Sequence, residues 1–454
     1  MNGRIPIIGG GLAGSEAAWQ LAARGHEGVV HEMRPVRETP AHKTDQLAEL
    51  VCSNTFKSTE LSNAHGLLKA EMRALGSLIL TCADETRVPA GSALGVDREA
   101  FAAAVTERVA SHPRITIERG EVTELPSPGI VATGPLTSDA LTEAIGARLG
   151  TESLAFYDAI APIVARESLD DSIVYRASRY GKETMESADE EGAYLNCPMS
   201  REEYEALLDA MTAADQYLGL EFDPIPYFEG CMPVEEMAKR GRETLRFGPL
   251  KPVGLRDPRT GKEAYAVVQL RQEDRAGRMW NLVGFQTRMR TGDQQRVLRM
   301  IPGLANAEFL RYGSIHRNSY LNAPAALTPH LSLRDDPRVL FAGQITGVEG
   351  YTESAATGLL AGINMSRMLR GEEPVVPPPT TMLGALYRYM READLRHFQP
   401  MNANFGLVEE LDERIRDKRK KREAIAERAL QAMSEWMQQH GIEAQASAPH
   451  AGVA

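Results

Sequence analysis

Cysteine is scarce in this chain: four residues in 454, none arranged as C-x-x-C. That excludes a disulfide framework and a paired-cysteine zinc site, and it suits a reducing cytoplasm. Long apolar runs are missing as well. No stretch reaches the ~18 apolar residues of a membrane span, and no basic segment precedes an apolar one at the N-terminus. Neither a membrane partner nor a secretion signal is expected. Positive charge is in deficit, with 51 Lys and Arg against 62 Asp and Glu and a net charge of −11. Averaged over the molecule, that charge attracts no nucleic acid, although a local patch still can. H-E-x-x-H, G-K-[ST] and G-x-S-x-G are absent. Metalloprotease, P-loop ATPase and common esterase chemistry therefore lack support, and no metal site is expected.

What is present starts at once. Arg4-Ile5-Pro6-Ile7-Ile8 is a short apolar strand running into Gly9-Gly10-Gly11-Leu12-Ala13-Gly14, a G-x-G-x-x-G loop. A helical stretch follows from Ala13 to Arg24, closed by Gly25. A nucleotide pyrophosphate needs backbone free of Cβ atoms, then a helix N-terminus aimed at its charge. Gly9 serves the turn, Gly11 the approach of the phosphate, and Gly14 the packing of helix on strand. Val29-Val30-His31-Glu32 reads as the second strand. Glu32, 18 residues past Gly14, stands where an acid binds the ribose hydroxyls of an adenosine. Pro6 is out of place, because it removes an N–H from a strand expected at the centre of a sheet.

With 43% hydrophobic residues, a chain of this length supports two to three domains. Residues 1–150 open with the dinucleotide unit and end near a strand that runs into a small-residue loop at Gly134. Residues 151–325 are richer in β-type segments, such as 264–270 and 279–287. Residues 326–442 hold a second strand–glycine–helix unit: a strand over 338–342, then Gly343 and Gly347, then a small-residue helix from about 353 to 369. A stiff proline linker over 374–379 leads into a helical tail, and 443–454 is expected to be disordered. Two such units suit FAD, whose adenine and isoalloxazine ends lie far apart and need separate cradles. The expected fold class is α/β, a Rossmann-like FAD-binding domain with an inserted α+β domain for substrate and a C-terminal helical tail. Candidate cofactor-binding residues are Gly9, Gly10, Gly11, Leu12, Ala13, Gly14, Glu32, Gly134, Gly343 and Gly347. Near the C-terminus, Arg414, Arg416, Lys418, Arg419, Lys420, Lys421 and Arg422 stand among Glu409, Glu410, Asp412, Glu413, Asp417 and Glu423. This run reads as a solvated helix face, the alternative being a phosphate-facing surface.

A flavin performs redox chemistry itself, so the chain must position substrate and supply any nucleophile or acid–base group. Two cysteines stand in turn-like surroundings: Cys52 in Leu50-Val51-Cys52-Ser53-Asn54-Thr55, and Cys231 in Phe228-Glu229-Gly230-Cys231-Met232-Pro233. A helix is expected just after Cys231, a setting that lowers a thiol's pKa. Cys82 and Cys197 read as buried apolar fillers. His42 and His316 are polar anchors or structural histidines. Lys251, between prolines and glycines, is a positioned cation for an acidic ligand or a loop lysine.

At the two cysteines the chain resembles the folate- and FAD-dependent tRNA (uracil-54-C5)-methyltransferases, the TrmFO family, relatives of the GidA-type tRNA-modifying flavoproteins. The resemblance runs from about residue 4 to about 436. It rests on Val51-Cys52-Ser53-Asn54, Gly230-Cys231-Met232-Pro233-Val234-Glu235-Glu236, NAHGLLKAEM (63–72), VPAGSALGVDREAF (88–101) and LNCPM (195–199). It continues in FGPLKPVGL (247–255), VQLRQEDRAGRMWNLVGFQ (268–286), YGSIHRNSYLNAP (312–324), residues 343–362 and FQPMNANFGL (398–407). Pro6, Gly10 and an acidic extension over 182–191 depart from the pattern. The resemblance implies a GidA-related version of the fold and a bound FAD. It also implies 5,10-methylenetetrahydrofolate as one-carbon donor, NAD(P)H as reductant and a tRNA T-loop uridine as acceptor. Cys52 and Cys231 are then nucleophile and base, in either order. Lys251 and the segment 271–278 are weaker candidates for folate glutamate or tRNA phosphate. Two alternatives remain: a GidA-type enzyme acting at the wobble uridine, which carries a longer C-terminal region, and a non-catalytic tRNA-binding flavoprotein. A flavin disulfide reductase needs a second thiol near Cys52, and none is there.

Overall fold

The structure is a computed structural model that describes residues 3–150, 154–181, 192–217 and 232–443. Five strands form its first sheet: β1 (Ile5–Ile8), β2 (Gly28–Glu32), β3 (Ile115–Arg119), β4 (Gly129–Val131) and β5 (Val339–Phe341), in the order β5-β4-β1-β2-β3. Every pairing in it is parallel. β1 is central and apolar on both faces, as a parallel strand between helical layers must be. Pro6 fits because of where its nitrogen points. Ile5 N–H donates to Glu27 O (2.9 Å) and Gly9 N–H to His31 O (2.8 Å), so the odd amides of β1 face β2. The Pro6 nitrogen faces β4, one residue before pairing between those strands begins at Ile7↔Ile130. The missing donor falls beyond the end of the ladder.

Helix α1 (Leu12–Ala23) links β1 to β2, starting one residue earlier than the sequence suggests. Against it packs α2 (Tyr351–Leu369), the long helix after β5. A Cβ at Gly358 would lie 2.1 Å from Ala13 O, and one at Gly362 would lie 2.5 Å from Ala17 O. Only glycine lets these two backbones approach so closely, and that approach brings the second cradle against the first.

Two long antiparallel strands, Leu154–Ile160 and Ser314–Tyr320, carry the chain out to a second lobe and back. The six-stranded sheet of that lobe is antiparallel, in the order Tyr175–Arg176, Tyr194–Met199, Ala266–Gln272, Met279–Leu282, Ile163–Ala165, Phe309–Arg311. It has its own core around Tyr204, Trp280 and Phe285. The strand expected over 279–287 stops at Leu282, where Val283 N–H turns back onto Gln269 O (2.9 Å). The tail forms two helices, Met382–Glu392 and Lys418–Gln439. The acidic extension over 182–191 and residues 444–454 lie outside the described residues. Among the described residues no helix is long and apolar enough to cross a membrane.

Helix Ala64–Ala74 buries Lys69 completely, with Nζ donating to Phe56 O (2.7 Å) and His65 O (2.8 Å). Burial pushes its pKa down to about 7. Between about pH 7 and 10.5 the unfolded chain holds a proton that the folded chain has released, so stability rises with pH across that window. Lys69→Met is expected to flatten this rise, read as the urea midpoint against pH. It is also expected to cost about 1–3 kcal/mol, because two carbonyls lose their donor.

Candidate active site

β1 ends at Ile8 and α1 begins at Leu12, so the glycine loop sits under a helix N-terminus. A Cβ at Gly14 would lie 1.8 Å from Gly9 O, whereas a Cβ at Gly11 would have nothing within 4 Å. One glycine is needed for packing, and the other leaves room for a ligand. Glu32, at the end of β2, is buried. Its Oε2 accepts from Gly10 N–H (3.0 Å), and its Oε1 accepts from Arg34 N–H (3.0 Å) and Nε–H (2.9 Å). Burial opposes its charge, yet the Arg34 contacts hold its carboxyl below the ordinary range.

Over these groups lies a cleft of about 1010 Å³, open to solvent. Gly9, Gly11, Leu12, Ala13 and Glu32 line one part of it, and Gly134, Gly343, Gln344, Tyr351 and Ser354 line another. Bare backbone beside a helix N-terminus, a carboxylate at the strand end and a second cradle fit an extended dinucleotide such as FAD. Gly10, Gly14 and Gly347 do not line the cleft. Gly10 packs on Leu47 and Glu32, Gly14 on Gly9, and Gly347 on the Phe398 ring. Gln344, Tyr351 and Ser354 are not among the cofactor candidates read from the sequence; for Tyr351 the reason is that the sequence reading starts α2 at about 353, two residues late. His42 does line the cleft, its Nδ1 2.7 Å from Thr39 Oγ1.

Cys52 lies half-buried in the loop before strand Thr55–Ser58, where the two lobes meet. The Tyr351 hydroxyl accepts from Cys52 N–H (2.8 Å) and Ser53 N–H (3.1 Å). From the second lobe, Arg311 donates to Val51 O (3.0 Å), and Arg271 donates to Asn54 Oδ1 (2.8 Å) and Ser53 Oγ (3.0 Å). Asn54 Nδ2 donates to Val96 O (2.9 Å) and Gln272 O (2.8 Å). Arg98, paired with Glu273 at 2.7 Å, donates to Leu50 O and to Cys52 O (3.4 Å). The loop is thus held from both lobes, with Cys52 Sγ 3.8 Å from Ala159 O. Burial, followed by the nearby Cys52, pushes the Tyr351 hydroxyl pKa far up. Burial and the charge of Arg98 push Arg311 down.

Cys231 lies outside the described residues. Just beyond it, helix Val234–Lys239 is pinned by Val234 N–H to Gln286 O (2.7 Å) and by buried Glu235, which accepts from Arg288 N–H (2.6 Å). Cys82 and Cys197 are fully buried, and burial pushes the Cys82 thiol up to about 11 and Cys197 further. The His316 side chain lies outside the described residues. The Lys251 carbonyl accepts from Arg179 (2.9 Å), and Lys251 is not among the residues lining the cleft.

Fold and cleft together define a two-lobed α/β dinucleotide-binding protein whose cofactor sheet is completed by a strand from beyond the second lobe. The model of the family described as glucose inhibited division protein A matches residues 4–373. A protein of Geobacter sulfurreducens named methylenetetrahydrofolate–tRNA-(uracil-5-)-methyltransferase TrmFO is 58% identical over 439 residues, 96% of this chain and 99% of that one. Its namesake in Desulforudis audaxviator is 55% identical over 444 residues, 97% of this chain and 100% of that one. Among solved structures, Aquifex aeolicus GidA in its form I crystal has a TM-score of 0.68 at 15% identity, covering 97% of this chain and 76% of that one. The chain belongs to the glucose inhibited division protein A family, within its TrmFO group.

Proposed function

We infer that this protein methylates C5 of a uracil in tRNA, taking the carbon from 5,10-methylenetetrahydrofolate, with FAD bound and NAD(P)H as reductant. One observation carries the reading: Tyr351 lines the dinucleotide cleft and also holds the amides of Cys52 and Ser53, so a thiol loop is fastened to the cofactor cradle. The relatives' name supplies donor and acceptor. We place the target at the T-loop uridine 54 and the activity in the cytoplasm. Residues 1–150 and 326–442 are assigned to the cofactor and residues 151–325 to substrate.

Uracil C5 is a poor nucleophile until C6 is attacked. One cysteine thiolate adds to C6, forming an S–C6 bond and leaving an enolate whose C5 attacks the one-carbon unit. The other cysteine takes the C5 proton. Loss of that proton expels the carrier nitrogen from the one-carbon unit. A hydride equivalent then reaches that carbon, and expulsion of sulfur from C6 restores the C5–C6 double bond. Reduced FAD, when bound, supplies the electrons that bring the carbon to the methyl level. Cys52 and Cys231 fill the nucleophile and base roles, in either order. The bonds from Tyr351, Arg98, Arg271 and Arg311 fix the Cys52 backbone before the base arrives, so little ordering is left to the reaction.

The test feeds purified protein FAD, NADPH, carbon-labelled methylenetetrahydrofolate and unmodified tRNA transcript, then weighs the digested nucleosides. Label in 5-methyluridine is expected. Bound flavin and bound tRNA without label would turn the reading toward wobble-uridine modification or non-catalytic binding. Tyr351→Phe strips the acceptor from two amides and is expected to slow methylation about 10-fold, a local loss within the ~1–3 kcal/mol of unpaired buried donors. Flavin content is expected to hold. Equal loss of flavin and activity would mean that Tyr351 serves the cofactor rather than the Cys52 loop.

A further inference from the structure

We propose that the basic start of helix Lys418–Gln439, with Arg414 and Arg416 ahead of it, is the surface that receives the phosphate backbone of the RNA substrate. The proposal rests on the tRNA reading above and gives that RNA a place on the molecule. Residues 414–422 hold seven cations and one carboxylate, in a chain whose net charge is −11. The solvated-face reading needs the neighbouring acids to neutralise them, and among the described residues only Glu423 is paired with one of the seven. Asp417 caps the helix, its Oδ1 accepting from Lys420 N–H (2.8 Å). Glu409 pairs with Arg388 (3.2 Å) and Glu423 with Arg419 (2.8 Å). Arg422 lies over the Phe405 ring, 5.9 Å from its centroid. Arg414, Arg416, Lys418, Lys420 and Lys421 have no side-chain partner among the described residues, and all but Lys421 are exposed.

The placement runs against helix stability. The N-terminal end of a helix is its positive end, where acids are favoured, yet the first turn here contains no acid and several lysines. A polyanion resting on this turn relieves both the mutual repulsion of the lysines and their conflict with the helix dipole. The patch also belongs to the cofactor side of the molecule. Cys52 N–H meets Tyr351 on α2. Two residues on, Glu353 Oε1 accepts from Ala403 N–H (2.8 Å), and the loop of Ala403 presents Phe405 to Arg422. An RNA whose target base enters at Cys52 can therefore lay neighbouring phosphates on the helix. The apolar face of the helix, with Ile425, Ala429, Met433 and Trp436, is buried against the protein. It offers nothing for insertion into a lipid surface.

The test uses full-length, FAD-loaded protein with Lys418→Glu, Lys420→Glu and Lys421→Glu combined, and measures tRNA transcript binding against salt. Affinity near 0.1 M salt is expected to fall about 10–100-fold. The slope of log K against log salt is expected to become shallower by roughly 2–3, at 0.7–0.9 per phosphate contact. Flavin reduction by NADPH without tRNA should be unchanged. The melting temperature should hold or rise, since acids now stand at the helix start, which separates lost binding from lost folding. Unchanged affinity and slope in the variant, beside a wild type that binds and methylates tRNA, would overturn the proposal and leave the methyltransferase reading standing. A wild type that neither binds nor methylates tRNA would bring down that reading and the proposal with it. Loss of binding to anionic phospholipid vesicles, with tRNA affinity intact, would also overturn it.

Discussion

Cys52→Ala is expected to lower tRNA methylation at least ~10²–10⁴-fold, because under the proposed mechanism it removes either the nucleophile or the base. Flavin content and flavin reduction by NADPH are expected to stay at wild-type values, since Sγ contacts the Ala159 carbonyl and the loop is tied to Tyr351 and Arg311 through its backbone. Cys52→Ser is expected to be nearly as inactive. A hydroxyl keeps the shape but is scarcely ionised near neutral pH. The same expectation attaches to Cys231→Ala. Initial rates of label entering 5-methyluridine, taken beside the visible spectrum, decide the matter. A Cys52→Ala protein turning over within about 3-fold of wild type would take this thiol out of the reaction. The alanine variants can also divide the labour. Whichever variant still yields a denaturation-resistant protein–RNA band keeps the cysteine that attacks C6.

The second large effect separates two glycines three positions apart. At Gly14 an added Cβ meets the Gly9 carbonyl at 1.8 Å, and both partners are backbone. Gly14→Val is therefore expected to destabilise the protein by about 3 kcal/mol or more and to yield it without flavin. At Gly11 the added Cβ meets nothing and the backbone, at φ −74°, accepts any residue. Gly11→Val is expected to leave the melting temperature of the flavin-free protein unchanged while weakening FAD binding about 100-fold, because its side chain occupies the path of the pyrophosphate. Melting curves of the flavin-free proteins and titration with FAD read both numbers. If Gly11→Val keeps full FAD affinity, the cleft over α1 is not where the cofactor's phosphates lie.

Much of the cofactor lobe is legible in the sequence because its signals are local. A strand, a glycine loop, a helix and an acid in fixed order need no knowledge of the rest of the chain, and β1, α1, β2 and β5 stand where that order puts them. β3, whose Ile115–Arg119 ends on exposed polar residues, carries no such pattern and is silent in sequence. The clamp on Cys52 is illegible for another reason. Arg98, Arg271, Arg311 and Tyr351 come from four distant segments and meet only in three dimensions. Turn chemistry separates Cys52 and Cys231 from Cys82 and Cys197, but only the family resemblance gives the two thiols the roles of nucleophile and base. The basic run shows the same limit in reverse. Interleaved acids look like partners along the chain, but Asp417 is taken by a helix cap and Glu409 by Arg388. Which base an acid meets is decided by packing.

The approach of α1 to α2 through Gly358 and Gly362 sets a timetable for synthesis. β4 is complete at residue 131, but β5, the strand that pairs with its far side, ends only at residue 341. At ~5–20 residues per second a ribosome takes roughly 10–40 s to cover that interval. Throughout it, β4 is an unpaired edge and α1 lacks the helix that covers its alanine face. The second lobe, whose sheet and core lie between residues 163 and 311, has all its parts out first. The insert can be assembled before its host, and a nascent chain cut anywhere ahead of residue 341 carries a glycine loop with no finished sheet to hold it. Until about three quarters of the chain has been made, shielding the open edge falls to the cell's chaperones.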